Sequence, residues 1–213
     1  MKKILIIICL LFITGCSDIR KQSYDDIINN IATRANKDNV YRTGYSYYLP
    51  RGMQVADSTL YNEAITDARY KYYLYVDLIS YYKKVEFEYD VNNKAFYSKK
   101  IDFDNKTGYI EINLKENDKY LIEIMYNYAK IEVMVDYDDI NLAVLNAVTI
   151  LRDLEYNDMT IESIASNKSQ KFNDETYNIF NPKGNDNNYL DIIQNEDDTN
   201  AEENEEIDTD LVK

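Results

Sequence analysis

The chain holds two cysteines, Cys9 and Cys16, and no histidine. Without histidine there is no Ser-His-Asp or Cys-His arrangement, and no zinc site of the usual His/Cys kind. Five glycines are too few and too scattered for a phosphate-cradling loop. Carboxylates are the remaining reactive groups, and two that face each other could cleave a glycosidic bond. With 38 Asp and Glu in the chain, however, no spacing singles out a pair. A Ser-Lys dyad has no motif to mark it. Calcium needs several oxygen ligands from one loop. "DFDNKTGYIEI" offers Asp102 and Asp104, but Lys106 and Thr107 stand where such a loop requires an acid or Asn and then Gly. It therefore reads as a hairpin turn. "DYDDIN" (136–141) reads as a helix start, where the dipole favours acids. No catalytic residue, metal ligand or cofactor is expected.

Cys16 is different because of what precedes it. "MKKILIIICLLFITG" (1–15) joins Lys2 and Lys3 to an apolar run, Ile4 to Ile13, and then to the small residues Thr14 and Gly15. This is the layout of a secretory signal. The run is shorter than the ~20 residues of a membrane span, and "SDIRKQSYDD" closes it with charge. Ile13-Thr14-Gly15-Cys16 resembles the lipobox of bacterial lipoproteins. That resemblance implies cleavage between Gly15 and Cys16, with an S-diacylglyceryl group, and N-acylation where the host performs it, on Cys16. Cys9 would leave with the signal, so the mature chain would hold no free thiol and no disulfide. Such a protein sits on the extracytoplasmic face of the cell membrane, held through the lipid on Cys16. Two acyl chains anchor stably where one does not.

Without Lys2 and Lys3 the charge balance is 22 basic against 38 acidic residues. A chain this acidic is repelled by nucleic acid and by anionic headgroups, so no nucleic-acid partner is expected. The 22 tyrosines, with no tryptophan, suit either strands or a recognition surface for glycans or peptides.

These residues need a frame. "YDDIINNIATRA" (24–35) spaces Ile27, Ile28 and Ile31 for a short amphipathic helix. "GYSYYLPRGMQV" reads as strand, Pro50–Gly52 turn and strand. "RYKYYLYVDLISYY" (69–82) is apolar on both faces and predicts one long central strand, with Asp77 either paired or marking an edge. "VEFEYDV" alternates as a strand, Val85, Phe87, Tyr89 and Val91 inward, with a tight turn at Asn92-Asn93. Gly108 is the expected left-handed residue of the next turn. "YIEINL", "YLIEIMY" and "AKIEVMVDY" complete an antiparallel meander. "DINLAVLNAVTILRDLEYN" repeats Ile140, Ala143, Val144, Ala147, Ile150, Leu151 and Leu154 at three and four, a helix to cover the sheet, with Asp138 or Asp139 as its N-cap.

The expected class is α+β: an antiparallel sheet covered by a long C-terminal amphipathic helix and a short N-terminal one. "GYSYYLPRGM" and "TILRDLEYN", at these places in the order, resemble the PsbP-like α/β sandwich, which includes DcrB-type bacterial lipoproteins. That family opens its sheet with an aromatic strand ending in Pro-x-Gly and packs its last long helix across it. Asp153 departs from the small residue usual at that point. The resemblance implies an accessory or binding module and carries over no catalytic residue. The expected organisation is signal 1–15, tether 16–23, one domain 24–158, a partly ordered extension 159–183 and an acidic disordered tail 184–213. The function expected is a non-enzymatic binding or assembly protein of the cell envelope with a protein partner. The alternatives are a cation- or glycan-binding lipoprotein and a carboxylate-dependent envelope hydrolase.

Overall fold

The computed structural model describes residues 18–33, 36–59 and 61–166. Cys16, Gly15 and the rest of the expected signal lie outside the described residues, as do 167–183 and the expected acidic tail. The fold is α+β with two antiparallel sheets. Helix α1 (Tyr24–Ala32) starts at Ser23, whose Oγ accepts from the Asp26 N–H, and buries Ile27, Ile28 and Ile31. A small sheet contains β1 (Val40–Arg42), β2 (Tyr45–Tyr47) and β10 (Glu155–Tyr156), with β2 in the middle. The large sheet contains β3 (Gln54–Ser58), β4 (Asn62–Thr66), β5 (Lys71–Val76), β6 (Tyr97–Phe103), β7 (Lys106–Leu114), β8 (Tyr120–Tyr126) and β9 (Ala129–Val135). Its order is β3-β4-β5-β9-β8-β7-β6. Helices α2 (Leu78–Lys83), α3 (Ile140–Arg152) and α4 (Asp158–Ser166) complete the described chain. None of its helices is long and apolar enough to cross a membrane.

Several elements differ from expectation. The sheet is two meanders, β3–β5 and β6–β9, joined along β5 and β9. The chain reaches the far edge at β6 through α2 and the segment 84–96. "GYSYYLPRGMQV" is not a hairpin: β2 pairs with β1 and β10, whereas β3 pairs with β4. The turn at Pro50, with Met53 N–H donating to Pro50 O and Gly52 at φ +86°, hands the chain from one sheet to the other. The apolar run 69–82 is two elements, because Asp77 caps a helix. Its Oδ1 accepts from the Ser80 N–H (2.8 Å) and its Oδ2 from the Ser80 hydroxyl (2.7 Å). Hydropathy does not separate a buried strand from the helix that continues it.

Residues 85–91 form no strand. Val85, Phe87 and Tyr89 are half-buried while Glu86, Glu88 and Asp90 are exposed, so the alternation survives, but Val91 points outward. An extended segment lying flat on a surface alternates whether or not its backbone pairs. Asn92 shapes the following turn by accepting from the Lys94 N–H and Ala95 N–H, without positive φ. Gly108 lies within β7. The left-handed residues are Asp104 (φ +52°) and Asn105 (φ +58°), a pair suited to a two-residue hairpin. Gly108 is small for another reason: a Cβ there would stand 2.0 Å from the carbonyl oxygen of Met125 on β8.

Antiparallel partners point to the same face. One face carries Ile112, Ile122, Val133, Tyr72 and Ile65 in register, with Ile110, Ile124, Ile131 and Leu74 in the neighbouring row. Helix α3 lies over β8 and β9 on this face, and α1 packs on α3. Residues 19–21 form a 3₁₀ turn, and Asn141 Nδ2 donates to Ile19 O (2.9 Å) and Gln22 O (2.7 Å). The described part of the expected tether is thus fastened to the first turn of α3.

Candidate functional site

The other face of the large sheet is where ionisable groups gather. "IEI", "IEI" and "IEV" recur in β7, β8 and β9. Register sets Glu111 opposite Glu123 and Glu123 opposite Glu132. All three are fully buried. One row along, Tyr109, Met125, Lys130, Tyr75 and Asn62 stand in register. Lys130, 2% exposed, holds its Nζ 3.2 Å from Glu123 Oε1 and 2.8 Å from Glu132 Oε1. Glu111 accepts from Tyr89 OH (2.6 Å), Asn92 Nδ2 (2.9 Å) and Asn113 Nδ2 (2.9 Å).

The cover is the segment 84–96. The Tyr89 ring stacks on Tyr109 at 4.5 Å and 13°, and its hydroxyl also meets Ser98 Oγ at 2.7 Å. Burial pushes the Tyr109 hydroxyl well above its ordinary range, and Glu123 and Glu132 push it further. It stays protonated. Burying charge is costly unless it is paired and hydrogen-bonded. Lys130 and the amide and phenol donors supply that pairing. The result is a polar ladder that ties β7, β8 and β9 to one register. A one-residue slip would turn the glutamates into the face under α3. Among the described residues, no group of three acidic or cysteine side chains converges on a point that could hold a metal ion. The expected hydrolase geometry, two acids facing an open cleft, is not what these glutamates form.

Two further polar knots fix the architecture. Glu63 on β4 accepts from Tyr45 OH (2.9 Å), Tyr47 OH (2.9 Å) and Arg42 Nη2 (2.7 Å), so it joins the small sheet to the large one. Burial, then Glu63 itself, raises the hydroxyls of Tyr45 and Tyr47. Asp139 precedes α3 but makes no capping bond. It takes a two-pronged contact from Arg69 (2.8 and 2.9 Å) and another from Tyr70 OH (2.7 Å). Tyr70 foremost, with Arg69, holds its carboxyl below the usual range. Asp153 is buried and bonded by Asn36 Nδ2 and Arg152 Nη1, which explains how an acid occupies that place.

The tyrosines serve mainly as core. Tyr45, Tyr47, Tyr72, Tyr75, Tyr109 and Tyr126 are buried. Tyr45 and Tyr47 reach Glu63, Tyr72 reaches Asp67 (2.8 Å) and Tyr126 reaches Phe103 O (3.0 Å). Tyr81 stacks on Tyr156 at 3.8 Å, and the Lys84 ammonium lies 3.5 Å from the Tyr81 centroid. Burial, with Asp158, lifts the Tyr81 hydroxyl to about 12.

A different group of rings lies at the surface, with Phe96 and Tyr137 exposed and Tyr120 half-buried. Phe96, Tyr120 and Tyr137 lie within 5.0–6.1 Å of one another, mostly edge to face. Leu114, in register with Tyr120, adjoins them. Tyr24 at the start of α1 packs edge-on against Tyr97 at 4.9 Å. Burial, then Tyr137 and Tyr120, raises the Tyr24 hydroxyl.

The site residue named from sequence, Cys16, lies outside the described residues. The glutamate ladder was missed because abundant acids made any pair look unremarkable. The signal was present in three consecutive strands, each carrying one acid between two aliphatics. No protein family, curated protein or solved structure matches the chain.

Proposed function

We propose that the chain is a lipoprotein, anchored through Cys16 to the extracytoplasmic face of the cell membrane, whose domain is a non-enzymatic binding or assembly module of the cell envelope. The observation that carries this reading is Ile13-Thr14-Gly15-Cys16 after a short basic start and a ten-residue apolar run. Two features of the domain support it. Glu63, Glu111, Glu123 and Glu132 are buried in contacts that hold strands together, beyond the reach of a substrate. Asn141 fastens Ile19 and Gln22, three and six residues after Cys16, to the first turn of α3, as suits a module held close to its anchor. At a finer level we propose a PsbP-like α/β sandwich, with α3 as the helix laid across the sheet and the strand ending in Pro50–Gly52 as its opening. The deciding experiment is Cys16→Ala with palmitate labelling and membrane fractionation. The parent should take label and sediment with membranes, and the variant should do neither. An unlabelled parent refutes the anchor.

A further inference from the structure

We infer that Phe96, Tyr120, Tyr137 and Leu114 form the face by which the domain rests on the bilayer that carries its lipid, a proposal that rests on the lipoprotein reading. Three of these side chains are unusually open for their type: Phe96 is 47% exposed, Leu114 53% and Tyr137 61%. They are contiguous: Leu114 ends β7, Tyr120 starts β8, Tyr137 opens the 3₁₀ turn Tyr137–Asp139, and Phe96 stands in the bend just before β6.

The chain's path selects the occupant. Two residues span at most ~7 Å, so an acylated Cys16 keeps Asp18 at the membrane surface. Asp18 leads into the turn that Asn141 clamps to the first turn of α3, and Tyr137 immediately precedes that helix. Tyr24 and Tyr97 continue the ring surface from there. The anchor and the open rings therefore share one end of the molecule. Phe and Tyr are suited to the headgroup level, where an apolar body and a polar tip are both satisfied. Two of the acids beside the rings are paired, Asp25 with Lys99 and Asp136 with Lys119 at 2.6 Å, while Glu116, Asp118 and Asp138 stand exposed there. A face with acids at its rim is suited to a zwitterionic surface, which does not repel them as an anionic one would.

The absence of tryptophan gives a clean probe. Chain 16–213, whose one thiol is Cys16, is coupled through that thiol to a single myristoyl chain and mixed with phosphatidylcholine vesicles. In vitro coupling supplies the lipid whatever the cell does. Failure of this test is thus distinct from failure of the palmitate experiment. In Tyr137→Trp the emission should shift to the blue and fall by about half with brominated acyl chains, since interfacial rings reach the acyl boundary. Tyr41→Trp, on β1 of the small sheet and 66% exposed in the parent, should be unaffected. Phe96→Ser with Tyr137→Ser should weaken partitioning about tenfold, because one acyl chain alone binds only marginally. Equal quenching at 137 and 41, or unchanged partitioning of the double variant, overturns the proposal. So does a vesicle-free dimer that buries position 137, which would assign the face to a second copy. If the double variant fails to fold, the two reporters decide the matter.

Discussion

Lys130→Met tests whether the buried ladder holds the sheet. Methionine keeps most of the stem and its packing but removes the ammonium shared by Glu123 and Glu132. At 3.2 and 2.8 Å each contact is worth about 5–6 kcal/mol gross at an effective dielectric of about 20. Desolvation of Lys130 itself offsets much of this. Removing one partner from a buried ion cluster costs ~3–5 kcal/mol net. A domain of this size has about 5–15 kcal/mol in total, so the loss consumes roughly a fifth or more. Melting should fall by roughly 6–20 °C, at about 2–4 °C per kcal/mol. The assay is urea and thermal unfolding of chain 16–213, followed by far-ultraviolet circular dichroism. Adding Glu132→Gln to Lys130→Met should restore part of the loss, so the double variant is more stable than the sum of the singles by about 1–3 kcal/mol. If Lys130→Met unfolds within about 0.5 kcal/mol of the parent, the ladder is not stabilising and the reasoning fails.

Gly108→Ala should cost at least ~3 kcal/mol, since a methyl 2.0 Å from a backbone carbonyl forces β7 and β8 apart; a melting curve matching the parent's would show that the strands yield. Asp139 has a carboxyl pKa lowered by Tyr70 and Arg69, so its contribution is present above the ordinary Asp pKa of about 3.9 and is lost as pH falls through the lowered folded value. Asp139→Asn should therefore lower stability at neutral pH and flatten the acid limb of the stability profile; two profiles of equal slope would contradict this.

Much of the strand pattern was legible because one face of β7–β9 is largely aliphatic. The apolar repeat from Ile140 to Leu151 coincides with the residues buried in α3. What escaped reading has definite causes. Asp77 ends β5 through a side-chain bond that leaves no mark on hydropathy. Residues 85–91 alternate like a strand because they lie between solvent and Tyr109, not because they pair. β2 and β3 share one turn yet belong to different sheets, a choice made by the distant partners β10 and β4. The glutamates of β7–β9 did not stand out among 38 acids, because a single strand cannot tell that a distant segment, here 84–96, covers it.

The junction between β5 and β9 also bears on how the chain assembles in time. β6 to β9 are consecutive hairpins, so each can form as soon as it has been made. β5 cannot: its partner at 129–133 arrives more than fifty residues later. A chain emerging N-terminus first carries the β3–β5 half with one raw edge, rich in tyrosine and aliphatics, until the second half catches up. That interval is when the protein is most exposed to strand-to-strand aggregation. A chaperone that shelters residues 71–76 would be needed most there, and a chain truncated before Ala129 should be insoluble.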